Sequence, residues 1–248
     1  MKKIRYRKLD AIRGIALINM IAYHAIWDLV YLYGFQWNWY QSEIGYIWQQ
    51  GICWTFIFLS GFCCSLGRNP IKRGLTVFLA GAVITAVTLV IMPENRVVFG
   101  VLTLIGSCMV IAGVFERQLN RFRPLVGVLL SFGLFLLTRN VNGGWLGFER
   151  FRLCKVEPKL YSNLVTTYFG FPMNDFYSTD YFSVVPWLFL FMAGYFLFQV
   201  LEKTKAAGML EKSVCVPLEW LGRHSLPLYM LHQPVIYGMF ELIFLIVK

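Results

Sequence analysis

Apolar runs of membrane-crossing length alternate along this chain with connections in which lysine and arginine collect. About 20 apolar residues cross the ~30 Å hydrocarbon core of a bilayer as a helix. The runs predict seven such spans, at about 10–32, 46–66, 74–92, 99–115, 124–138, 181–201 and 225–247. They are too long for barrel strands, so each is expected to be a helix that satisfies its own backbone. The predicted fold is therefore all-α, a polytopic transmembrane helix bundle. With no visible internal repeat or low-complexity tract, it reads as a single domain over 1–248. The basic start followed by an apolar run resembles a secretory signal, but no small-x-small cleavage site ends the run, which predicts a retained first helix. The one long connection, 139–180, carries Gly143, Gly144, Pro158 and Pro172. Loops of that length are functional or disordered, and its apolar part, 160–171, is expected to dip into the membrane as a lid.

Within the first span the polar positions are ordered rather than scattered. Asp10, Arg13, His24 and Asp28 interrupt the apolar run of 9–32. At ~100° per residue, His24 returns to within ~20° of the face of Arg13, and Asp10 and Asp28 fall within ~60° of it. Ionisable groups are expensive in a bilayer and face a protein interior or a wet cavity. The stripe therefore predicts a site, with a structural ion pair as the plainer reading.

Composition agrees with the class: 58% of residues are hydrophobic, 15% are charged, and the mean hydropathy is +0.59. Tyr31, Tyr33, Trp37, Trp39 and Tyr40 suit an aromatic belt at a bilayer surface. Of the 23 lysines and arginines, sixteen fall on one side of the seven-span topology: Lys2, Lys3, Arg5, Arg7, Lys8, Arg13, Arg68, Lys72, Arg73, Arg117, Arg121, Arg123, Lys203, Lys205, Lys212 and Arg223. The positive-inside rule then makes the N-terminus cytoplasmic and Lys248 external. The net charge of +10 is accordingly a topology signal and an attraction to anionic lipid, and gives no reason to expect nucleic-acid binding. Cys53, Cys63, Cys64 and Cys108 fall inside spans, Cys215 is cytoplasmic and Cys154 alone is external, so no external disulfide is expected. Cys63 and Cys64 are adjacent and point different ways, and no metal site is predicted.

Depth sorts the polar residues into two groups. Counting from Ala11 at 1.5 Å per residue, His24 lies ~20 Å and Asp28 ~26 Å into the membrane; counting from Ser225, His232 lies ~10 Å and Glu241 ~24 Å in. Glu241 is thus expected level with His24 and Asp28, and Asp180, opening the sixth span from outside, is placed to join them. A histidine with carboxylate partners near an external opening is what a general base needs, to hold one tautomer and to stabilise its imidazolium. Capping would explain Asp180 and interfacial placement Glu241 without any chemistry. An inner group, Asp10, Arg13, Arg68, Lys72, Arg73 and Arg223, lies at the opposite ends of the spans. Arg13 and His24 are separated by ~16 Å along the helix. A ligand with an anionic head at Arg13 and a reactive tip near His24 has the shape of an acyl-coenzyme A.

These residues lie in segments that resemble a known family. LDAIRGIALINMIAYH (9–24), FLSGF (58–62), FYSTDYFSVVPW (176–187) and WLGRHSLPLYMLHQPV (220–235) look like the bacterial relatives of the heparan-α-glucosaminide N-acetyltransferase catalytic domain. The Arg13 to His24 spacing and FLSGF are also similar to membrane O-acyltransferases of surface glycans. The resemblance implies transfer of an acyl group, above all acetyl, from cytoplasmic acyl-CoA to a glycan or other small acceptor at the external side. Together with the depth grouping, the resemblance makes His24, Asp28, Glu241 and Asp180 the catalytic candidates and Arg13, Asp10, His232, Arg68 and Arg223 the candidates for the acetyl-CoA site; no metal is expected. The connection 33–46 holds no histidine where the eukaryotic glucosaminide enzymes keep theirs, so the heparan substrate is not carried over. Expected partners are acyl-CoA, a carbohydrate or other small acceptor and membrane lipid, in a multi-pass protein of the plasma membrane, with a homo-oligomer left open. Direct transfer with His24 as base and a ping-pong route through an acylated His24 both remain open. So does a proton-coupled transporter or lipid-handling protein in which His24, Asp28 and Glu241 relay protons.

Overall fold

The computed structural model describes residues 5–204 and 206–247. Lys2, Lys3, Lys205 and Lys248, used above to orient the chain, lie outside the described residues. In chain order the helices are α1 (Arg7–Tyr31), α2 (Glu43–Cys64), α3 (Pro70–Ile91), α4 (Val101–Val114), α5 (Glu116–Leu119), α6 (Pro124–Thr138), α7 (Leu164–Phe169), α8 (Val184–Glu202), α9 (Ala206–Leu210), α10 (Val216–Arg223) and α11 (Ser225–Val247). Proline stands in the first turn of α3, α6 and α10. There its fixed φ suits the helix and its missing N–H is no loss.

Among the described residues, six helices are long and apolar enough to cross a membrane: Arg7–Tyr31, Glu43–Cys64, Pro70–Ile91, Pro124–Gly143 (α6 with the 3-10 turn that follows it), Val184–Glu202 and Ser225–Ile246. The remaining expected span, α4, is 14 residues and therefore ~21 Å long, short of the bilayer core. It nevertheless lies antiparallel along α3, Gly106 against Phe78 and Gly113 against Ile71, and so returns the chain to the end at which α3 begins. Most of α4 is buried from Val101 to Met109, with α3 and α8 against it, so its continuous hydrophobicity belongs to a protein interior.

The chain divides into two compact units, Met1–Phe56 with Lys205–Lys248, and Ile57–Thr204, the boundary falling within α2. In the first, α1 packs along α10 and α11, and Leu17, Met20 and Ile52 form a buried cluster. In the second, α3 packs on α4, and α8 on both α4 and α6. A Cβ on Gly61 would fall 1.8 Å from the Phe191 carbonyl oxygen, so the glycine of FLSGF is there to let α2 and α8 touch backbone to backbone.

The long connection is ordered. Its strands β1 (Trp145–Phe148) and β2 (Phe151–Lys155) pair antiparallel, Trp145 opposite Lys155, with an irregularity between Leu146 and Gly147. Asn163 caps α7, its side-chain oxygen accepting from the N–H groups of Val165 (2.9 Å) and Thr166 (3.0 Å). The Tyr168 hydroxyl meets that of Ser107 in α4, and Tyr161 donates to the Val141 carbonyl at 2.6 Å. The stretch 160–171, expected as a lid, is tied by these bonds to the second unit's own core.

Candidate active site

The polar stripe of α1 lies against α10 and α11, and its two ends meet different partners. At the start, Asp10 gathers three guanidinium groups: Arg5 Nε at 2.9 Å, Arg13 Nη1 at 3.3 Å and Arg223 Nε at 4.0 Å. Arg13 also donates to the Gly222 carbonyl at 3.3 Å. A Cβ on Gly222 would fall 1.9 Å from the Asp10 carbonyl oxygen, so α10 seats directly on α1 and brings Arg223 to Asp10. Glu219, buried one turn earlier in α10, accepts from the Ser213 hydroxyl at 2.5 Å and the Val214 N–H at 3.1 Å. Those bonds hold its carboxyl below the usual range.

About three turns further along α1 the polar groups are apolar-walled and partly unsatisfied. The rings of His24 and His232 stand 4.9 Å apart, with Tyr23 edge-on to His24 and Tyr229 beside His232. His232 Nδ1 bonds the Tyr229 carbonyl. A carbonyl only accepts, so Nδ1 carries the proton and Nε2 keeps its lone pair. That Nε2 is buried and has no hydrogen-bond partner among the described residues. Asp28, fully buried, accepts from Gln233 Nε2 at 2.8 Å through Oδ1. Asp28 Oδ2 and Gln233 Oε1 are likewise buried and unpartnered. Pro234, inside α11, lacks the N–H that would complete the helical ladder beside Gln233.

Simple depth counting puts His232 ~10 Å below His24, yet the rings touch. The counting starts α11 level with Ala11, whereas the ring contact and the Gln233–Asp28 hydrogen bond set His232 and Gln233 beside His24 and Asp28. Glu241 is not paired with His24 or Asp28: its Oε1 accepts from the Tyr33 hydroxyl at 3.1 Å, and Tyr33 stacks on Phe244 at 4.4 Å. Burial and the Glu241 carboxylate push the Tyr33 phenol up to about 12. Asp180 belongs to the second unit, where its Oδ2 accepts from the Val101 N–H at 3.3 Å and so caps α4. Burial pushes its carboxyl up to about 6, against the effect of that hydrogen bond. Arg68, also in the second unit, is exposed. The structure thus brings together Asp10, Arg13 and Arg223 at one end of the stripe, and His24, His232 and Asp28 at the other. Gln233 is the residue that motif reading passed over; an amide inside an apolar span, beside a proline, was its signal. No group of three or more His, Cys, Asp or Glu able to hold a metal occurs among the described residues.

Membrane-length helices around buried, unsatisfied ionisable groups define a polytopic membrane protein with an internal polar site. The model of the family "Heparan-alpha-glucosaminide N-acetyltransferase, catalytic" matches residues 5–234, and the chain belongs to that family. It is accordingly a transmembrane acetyltransferase, of a family that uses acetyl-CoA as its donor. The match takes in both histidines and Gln233 and stops short of Glu241. No curated protein and no solved structure matches the chain.

Proposed function

We propose that the protein moves an acetyl group from cytoplasmic acetyl-CoA to a primary amine, presented from the external side of the plasma membrane by an amino sugar or another small acceptor. The observation that supports this reading is the chemistry of the unpartnered atoms. Asp28 Oδ2, Gln233 Oε1 and His232 Nε2 are all acceptors, buried in one neighbourhood of α1 and α11. Buried polar groups are normally satisfied, and those left open mark a place for something else to bind. An ammonium group offers three N–H donors and a positive charge for the carboxylate; a single hydroxyl offers one donor.

In this mechanism the ammonium gives its first proton to the Asp28 carboxylate on binding, and the freed nitrogen lone pair attacks the thioester carbonyl. The C–N bond forms as the C–S bond breaks, His232 Nε2 takes the second amine proton, and coenzyme A leaves as a thiolate that is then protonated. The His232 imidazolium so formed faces the His24 ring, which passes the proton on; Asp28 and Gln233 orient the amine. General-base catalysis of this kind contributes about 10²- to 10⁴-fold. At the other end of the stripe, Arg13 and Arg223 meet the anionic part of the donor, with Asp10 setting their geometry. A guanidinium already bound to Asp10 keeps further donors for phosphate.

The test is acetyl transfer by purified protein in liposomes with labelled acetyl-CoA, offering glucosamine, glucose and N-acetylglucosamine in parallel. Acetamide formation on glucosamine, with little product from the other two, is expected. Ester formation on glucose at an equal rate would overturn the amine assignment, and transport without acetyl-CoA consumption would overturn acyl transfer altogether.

A further inference from the structure

The second unit contains a cavity of about 340 Å³ that the acetyl-transfer reading does not use. It lies where α2, α5 and α8 end and α3 and α6 begin, the end at which Arg68, Lys72, Arg73, Arg117, Arg121 and Arg123 collect. That end is cytoplasmic by the positive-inside rule. One wall is polar, with Glu116, Asn120, Gln199, Glu202 and Lys203; the other is apolar, with Cys64, Pro70, Phe122 and Pro124.

The polar wall has a hydrogen-bonded floor, and its charges, Glu116, Glu202 and Lys203, stand on exposed side chains. Asn120 Oδ1 accepts from Gln199 Nε2 at 3.3 Å and from the Tyr195 hydroxyl at 3.4 Å, which fixes the floor. No ion pair among the described residues neutralises Glu116, Glu202 or Lys203. A second cation stands close by. Arg73 Nη1 is buried without a hydrogen-bond partner among the described residues. Its guanidinium rests where a Cβ on Gly67 would be, outside the lining itself but near enough to act on Cys64 of the cavity wall. The cavity therefore offers two carboxylates to a cation and, beside them, Lys203 and Arg73 to an anion. Phe122, half-exposed at the rim, and the exposed Leu125 and Val126 continue the apolar wall onto the lipid-facing side of α6.

We infer that this cavity holds the headgroup of a zwitterionic aminophospholipid, its ammonium between Glu116 and Glu202, its phosphate at Lys203 and Arg73, and its acyl chains along α6. A primary ammonium donates hydrogen bonds to both carboxylates, which a quaternary ammonium cannot. A purely anionic headgroup would meet the two carboxylates with no ammonium to offset their charge. The inference stands apart from the acetyl-transfer site and shares no residue with it.

The experiment is native mass spectrometry of the full-length protein in detergent, titrated separately with phosphatidylethanolamine, phosphatidylcholine and phosphatidylglycerol of identical chains, and with soluble phosphoethanolamine. Phosphatidylethanolamine is expected to be retained about tenfold better than the other two lipids, a difference of about 1.4 kcal/mol. Soluble phosphoethanolamine is expected to bind at least a hundredfold more weakly. The double variant Glu116→Gln/Glu202→Gln should lose the preference, and Gly67→Ala, which displaces the Arg73 guanidinium, should weaken retention severalfold. Equal retention of ethanolamine and choline lipids by the unmodified protein would overturn the inference, whatever the variants do. Tight binding of free phosphoethanolamine would overturn the lipid as the source of the headgroup.

Discussion

The long connection of the second unit and the His24 neighbourhood of the first are both rich in polar side chains, and they treat them in opposite ways. Between Asn140 and Ser183 the polar groups close on one another. Asn142 donates to the Gly170 carbonyl and the Ser183 hydroxyl, both at 2.9 Å. Thr167, fully buried, donates to the Asn163 carbonyl at 2.8 Å and accepts from the Met173 N–H at 3.0 Å. Tyr181 donates to the Thr167 carbonyl at 2.5 Å. Around His24, three acceptors on Asp28, His232 and Gln233 are left open in an apolar setting. Each open acceptor costs free energy that a satisfied one does not. The first arrangement holds a shape; the second stores the means to bind something absent.

The largest expected effect lies at the open group. His232→Asn can still donate to the Tyr229 carbonyl but has no lone pair where Nε2 stood. It should lower kcat by about 10²- to 10⁴-fold while the melting temperature stays level or rises, because an unpaired buried acceptor has been removed. His24→Ala should cost a similar factor, and the double variant little more than the worse single, since groups acting as a unit are non-additive. Steady-state rates with melting curves check all three. Turnover unchanged, with stability lost, would make the histidines structural and erase the contrast.

At the closed group the pattern should invert. Thr167→Val keeps shape but leaves the Met173 N–H buried without its acceptor. A loss of about 1 to 3 kcal/mol in stability is expected, with turnover per folded molecule unchanged. A melting temperature within error of the parent would show that this hydrogen-bond network is not what holds the segment.

The smallest effect concerns Asp180, whose carboxyl is raised by burial from 3.8 to about 6. The folded state therefore binds the proton more tightly than the unfolded one. The stability this contributes is fully present below about pH 4 and is lost as pH rises through 6. Asp180→Asn keeps an acceptor for the Val101 N–H and has no charge to desolvate. It should match the parent near pH 4 and exceed it at pH 7.5, by no more than about 1 kcal/mol because the new amide N–H groups need partners. Melting curves at the two pH values read the crossover; a variant less stable at pH 7.5 would assign Asp180 an ionised role.

Much of this was legible along the chain because it is local. Hydrophobic runs gave the membrane-length helices, and helical spacing put Asp10, Arg13, His24 and Asp28 on one stripe of α1, which is where their partners from α10 and α11 meet them. What escaped depends on distant pairings. The level of His232 is set by its ring contact with His24 and by Gln233 bonding Asp28, more than 200 residues apart in sequence. Asp180 faces Val101 across 79 residues, and Glu241 finds Tyr33 rather than the histidine. The β1–β2 hairpin was hidden in an irregular, proline-bearing stretch with few alternating positions. The shortness of α4 was hidden because burial in protein and burial in lipid select the same residues.

The most direct measurement is a structure of the full chain in lipid with an amino sugar bound, locating the amine nitrogen. Transfer centred on the open acceptors predicts that nitrogen within hydrogen-bonding distance, about 2.7 to 3.2 Å, of His232 Nε2 and of Asp28 Oδ2. An amine held elsewhere, with both atoms bridged to each other by ordered water or by a shift of Gln233, would contradict it.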